Sequence, residues 1–183
     1  MVKKIHYISG LSIAIFIVLH LFNHVCSIAG AAAQIKMMDT LRYFYRNVFV
    51  ETILLTSVFI QIFTGLRLFI TKRKIAHSNF DRLQVYSGLY LTIFFAIHLS
   101  AVLSGRFFLH LDTNYYFGVA GLNTFPFNFF FVPYYALAII AFFCHMAAVH
   151  HNKMKHHIWG LTPIVQSKAI VFAGLFLPRE NDW

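Results

Sequence analysis

The sequence predicts an all-α integral membrane protein, a four-helix bundle of two hairpins. Three observations lead there: a composition 59% hydrophobic and only 11% charged, four long apolar runs, and a histidine-bearing motif that occurs twice. Soluble domains carry roughly 25% charged residues, so a water-soluble globule is excluded. A net charge of +9 would suggest nucleic acid in a soluble chain. Here the cations lie between apolar runs, and topology accounts for them without a nucleic-acid partner.

A helical span consumes about 20 apolar residues, and four runs satisfy this, at about 5–29, 48–70, 83–103 and 128–151. The first could be mistaken for a secretory leader, because the small residues Ala29 to Ala33 follow it. Its apolar core is longer than the ~7–15 residues of a leader and holds His20, Asn23 and His24. The segment Phe107 to Phe131, with Gly118, Gly121, Pro126 and many aromatics, reads as an outer loop partly in the interface. Ile164 to Leu177 is too short to span and contains Lys168. The tail 158–183 is therefore expected to be an interfacial segment, or one covered by a partner protein.

Eleven basic residues fall on the side of the N-terminus: Lys3, Lys4, Arg67, Lys72, Arg73, Lys74, Arg82, Lys153, Lys155, Lys168 and Arg179. Four fall on the other: Lys36, Arg42, Arg46 and Arg106. The positive-inside rule then puts both termini in the cytoplasm. Cys26 and Cys144 sit inside apolar runs with no metal-binding spacing and read as packing residues.

Residues 9–21 read SGLSIAIFIVLHL and residues 87–99 read SGLYLTIFFAIHL. The shared pattern Ser-Gly-Leu-x4-Phe-x3-His-Leu repeats without a gap. Both copies would run outward, which implies pseudo-twofold symmetry about the membrane normal. His20 and His98 each lie about 22 Å from the inner boundary, at 1.5 Å per residue. Two imidazoles at one depth on facing helices suit axial ligation of a haem iron standing between them. Packing by a satisfied histidine is the competing use of such a residue.

His24 lies one turn beyond His20 and is placed to assist a propionate or a quinone. Arg42, Arg46 and Arg106 can pair with propionates or with lipid phosphates. In the inner half, His145 and Gln61 lie about 9 Å and 14 Å from that boundary, a possible second site or a hydrogen-bonded pair. The cations around His150, His151, His156 and His157 read as a polar helix end. Buried carboxylates are lacking in the runs, which weighs against a transporter.

The stretches YISGLSIAIFIVLHLFNH, VETILLTSVFIQIFTGLRLF, RLQVYSGLYLTIFFAIHL and YALAIIAFFCHMAAVHH together resemble the cytochrome b membrane anchors of succinate dehydrogenase and fumarate reductase. The likeness covers about residues 5–152 as scattered positions. Members with two haems carry one histidine on each of four helices, which implies His20 and His98 for the outer haem and His145 for the inner. Gln61 stands where the resemblance expects a histidine ahead of Gly65, and no fifth span is evident. The resemblance therefore implies a divergent relative holding one haem b, the second being doubtful. It also implies electron exchange with a quinone and with cytoplasmic iron–sulfur and flavoprotein subunits, or other membrane subunits, in a bacterial inner membrane. Such a chain is an enzyme only as part of a complex. The rival expectation is a haem-free anchor.

Overall fold

The computed structural model describes residues 1–176. Within them the chain is all-helical: α1 (Val2–Val25), α2 (Ala31–Tyr45), α3 (Val48–Lys72), α4 (Asn79–Phe107), α5 (Tyr115–Asn123), α6 (Asn128–Lys153) and α7 (Pro163–Leu175). Helices α1, α3, α4 and α6 are long and apolar enough to cross a membrane. These are the four runs expected from the sequence, and α4 extends a turn further at each end. The N-terminal extension has a local cause: Ser78 Oγ accepts from Asp81 N at 3.0 Å while the Asp81 carboxylate accepts from Ser78 N, a capping box. Ser78→Ala is expected to destabilise the fold by about 1 kcal/mol. The check is a lowered thermal midpoint in detergent; an unchanged midpoint would mean that the cap contributes nothing.

Consecutive spans pack in chain order, α1 on α3, α3 on α4 and α4 on α6. Among the described residues no Cα of α1 comes within 8 Å of one in α4 or α6, so those helices meet through side chains alone. The interior suits a bilayer. Most of its buried positions are small or polar, including Ser9, Ser57, Ser87, Thr92, Ala138, Ala141, Ala147 and Ala148, while Ile8, Leu11, Ile15, Val18 and Phe22 line the exposed face of α1. Close packing of small residues takes the place of the hydrophobic effect between helices in lipid.

Three elements go beyond the sequence reading, one of them α5, a helix within the stretch expected to be an outer loop. After α1 a short 3-10 turn, Cys26–Ala29, leads to Gly30, whose φ of +95° favours glycine. The chain then folds back as α2, which buries Gln34 and Met38 on one face. At the other end the C-terminal apolar stretch forms α7. It lies along α6 with Gly174 against Phe143, about ten residues in from the end of α6. α6 itself thus covers this stretch, which rises along the bundle; the expectation for residues 177–183, Arg179 included, lies outside the described residues.

Candidate functional site

The two copies of the repeat build the same local arrangement. Phe16 stacks on His20, with ring centres 5.6 Å apart and planes 20° apart. Phe94 stacks on His98 at 5.0 Å and 11°. The Phe-x3-His part of the motif is thus a stacked pair in both, one helical turn long. The Ser-Gly part is a notch. Ser9 and Ser87 donate their hydroxyls back to Ile5 O and Leu83 O, and each glycine lets the neighbouring span's polar side chain approach. A Cβ at Gly10 would lie 3.2 Å from Gln61 Nε2, and one at Gly88 would lie 3.1 Å from His145 Cε1.

Gln61 and His145 therefore occupy equivalent places, each serving its own hairpin. Gln61 donates Nε2–H to Ser9 Oγ at 2.8 Å and to His6 O at 2.5 Å. His145 donates Nδ1–H to Gln84 O at 3.1 Å, with Ser87 Oγ at 3.3 Å. A carbonyl oxygen only accepts, which fixes the hydrogen on Nδ1. The alternative of a hydrogen bond between Gln61 and His145 is corrected here: each has nearer partners on the helix it packs against. His6, which the sequence reading did not single out, lies in the same inner half. Its Nδ1 meets Thr64 Oγ1 at 2.8 Å, and a His-to-Thr pair on separate spans leaves no signature in spacing.

The outer half brings the predicted histidines together. The ring centres of His20 and His98 are 6.4 Å apart with planes 65° apart, bridging α1 and α4 where the backbones stay further apart. His24 meets His20 edge-on, with Nε2 to Nε2 at 3.2 Å. Gln34 Nε2 reaches His24 Nδ1 at 3.4 Å, so α2 closes over this end. His98 is flanked by rings, Phe94 on its face and Tyr135 edge-on at 6.1 Å.

Above the histidines, Tyr45 of α2 sits edge-on to Phe16 at 5.4 Å, and burial pushes its hydroxyl up from the usual tyrosine range despite the pull of Arg42. The Arg42 side chain is only 11% exposed and pairs through Nη1 with Asp112 at 2.9 Å and Asp39 at 3.5 Å. Arg46 donates to Thr113 Oγ1 at 3.3 Å. Arg106 is paired with Glu51.

Buried polar atoms without a partner concentrate here. They are Asn23 Oδ1, Gln34 Oε1, and Nε and Nη2 of Arg42; His151 Nδ1 is the further case among the described residues. Such groups normally find a partner, because leaving one unmade costs about 1–3 kcal/mol. The guanidinium of Arg42 thus offers two nitrogens, Nε and Nη2, to an acceptor. Among the described residues, no three His, Cys, Asp or Glu side chains converge on one point for a metal ion. A haem asks the protein for two, since the porphyrin fills the remaining positions. At the opposite end His150 Nε2 meets Gln166 Oε1 at 2.7 Å and His151 stacks on Phe80, in line with a polar helix end. Compared with family profiles, characterised proteins and solved structures, the chain matches none.

Proposed function

We propose that this chain is a haem b-binding electron-transfer subunit of a membrane oxidoreductase, with His20 and His98 as the axial pair. The observation that carries it is the His20–His98 juxtaposition, with ring centres at 6.4 Å. Two imidazoles on opposite sides of one metal, each nitrogen about 2 Å away, have ring centres on the order of 6 Å apart. Support comes from Phe16 and Phe94, which stack on His20 and His98 and fix both ring planes.

A haem held by His20 and His98 would supply one-electron chemistry. Arg42 fits a propionate, having two buried guanidinium nitrogens that lack acceptors. Arg46 lies on the same side; Arg106 is already neutralised by Glu51. His24 would release His20 Nε2 to the iron and keep its contact with Gln34. One haem is the expectation, because Gln61, the structural equivalent of His145, is an amide bound to Ser9 and the His6 carbonyl.

In this reading the chain resembles the cytochrome b anchors of succinate dehydrogenase and fumarate reductase. It exchanges electrons with a membrane quinone and with iron–sulfur and flavoprotein subunits, in the inner membrane of a bacterium with both termini in the cytoplasm. One contact favours the second reading, a haem-free anchor: His20 already has His24 as a partner at 3.2 Å.

The deciding experiment is a reduced-minus-oxidised visible spectrum of the detergent-purified chain, made with haem supplied, and haem quantified per polypeptide. A low-spin b-type spectrum at close to one haem per chain is expected. A folded preparation without haem would overturn the proposal and leave the anchor.

A further inference from the structure

The loop between α6 and α7 ends in a feature that the redox reading does not use. Ile158 N donates to Leu161 O at 3.3 Å and Leu161 N to Ile158 O at 2.9 Å, closing a two-residue hairpin. Its central residues, Trp159 and Gly160, have φ of +49° and +76°. That is the mirror-image turn in which Asn-Gly or Asp-Gly is usual. A tryptophan there is strained, and such backbone costs of order 1–3 kcal/mol where the surroundings over-determine it.

The surroundings do so. Gln166 of α7 donates Nε2–H to Leu161 O at 2.7 Å and to His156 O at 3.2 Å, and its Oε1 meets His150. The side chain so presented is 95% exposed. A braced, strained turn that drives a whole indole outward suits a surrounding other than water.

Position and charge say which. The loop starts at Lys153, the end of a 26-residue span, and stops at Pro163, where α7 turns back along the same span. Both ends of the loop therefore lie at the membrane boundary on the side of the N-terminus. Lys155, His156 and His157 are exposed beside the turn, and Lys168 is exposed on α7. From Asn152 to Phe176 the chain has no acidic residue. Indoles settle in the headgroup region, and surface lysines are drawn to anionic lipid.

We propose that the 158–161 turn is a lipid anchor, with the Trp159 indole seated among headgroups and Lys155, His156 and His157 set against anionic phosphates. The site lies at the end of the bundle opposite the His20–His98 pair and does not depend on the haem.

The test uses the full chain with Trp183→Phe, which leaves Trp159 as the single tryptophan, in vesicles of phosphatidylcholine and phosphatidylserine. Lipids brominated high on the acyl chain are expected to quench Trp159 more than lipids brominated near the chain end, and aqueous iodide is expected to quench it weakly. Bromine carried on phosphatidylserine should quench more than bromine on phosphatidylcholine. Lys155→Gln should reduce that preference about fivefold, the factor that corresponds to about 1 kcal/mol per surface lysine. Emission like that of free indole, open to iodide and untouched by bromolipid, would overturn the proposal and leave the turn standing in water for a soluble partner. Equal quenching by both headgroups would overturn its electrostatic half.

Discussion

His98→Ala is expected to abolish haem binding, taking the reduced-minus-oxidised signal to background, whereas His145→Ala retains it. His98 is the one imidazole that α4 brings to the site, among the rings of Phe94, Tyr135 and His20, whereas α1 carries both His20 and His24. His20→Ala should lose the haem as well, although His24 stands one turn away with its ring centre 4.6 Å from that of His20. His145 serves its own hairpin through Gln84 O and Ser87. Removing it gives up a hydrogen bond with a net contribution of about 1 kcal/mol and leaves the outer pair in place. Haem per polypeptide in the three purified variants decides the matter. Equal loss in all three, or no loss in any, would remove the assignment of His20 and His98 as ligands.

The second large effect is structural. Gly174→Ala is expected to prise α7 away from α6, because a Cβ at that position would fall 2.6 Å from Phe143 Cβ and 2.5 Å from its Cγ. These atoms are the root of the phenylalanine, not a mobile tip, so a rotamer change cannot make room. Forcing a methyl into a packed contact costs typically about 1–3 kcal/mol. A lowered thermal midpoint in detergent and faster proteolysis within 154–162 are the expected signs. Adding Phe143→Gly to the same chain should restore part of the loss, since both clashing atoms, Cβ and Cγ, are then gone. An unaltered midpoint in Gly174→Ala would show that α7 is not docked there.

Much of this was legible in the sequence, for identifiable reasons. Apolar runs of span length located α1, α3, α4 and α6 because composition alone sets that signal. The ungapped repeat placed His20 and His98 at one depth, and their rings do meet. α2 was hidden because Lys36, Asp39 and Arg42 break its apolar pattern, although Gln34 and Met38 still form a buried face. α7 was recognised as apolar and too short to span, but its mate could not be read from residue type: the contact depends on an absent side chain at Gly174.

The partners of Gln61 were not legible for a related reason. Depth along two helices was comparable, while the choice of hydrogen-bond partner followed which helices touch. Spacing carries no information about that, and the same limit hid His6 and the unpaired donors of Arg42.

The packing of each span on its chain neighbour has a consequence for biogenesis. α1 with α3 forms a hairpin as soon as the second span has been made, and α4 with α6 forms the next, so neither waits for distant residues. The histidine pair is different, since its two halves are contributed by separate hairpins, 78 positions apart in the numbering. Membrane insertion can therefore proceed one hairpin at a time, while the His20–His98 contact between them is a late product of assembly. Truncation after the first hairpin would still yield an insertable fragment, but one holding only half of the site.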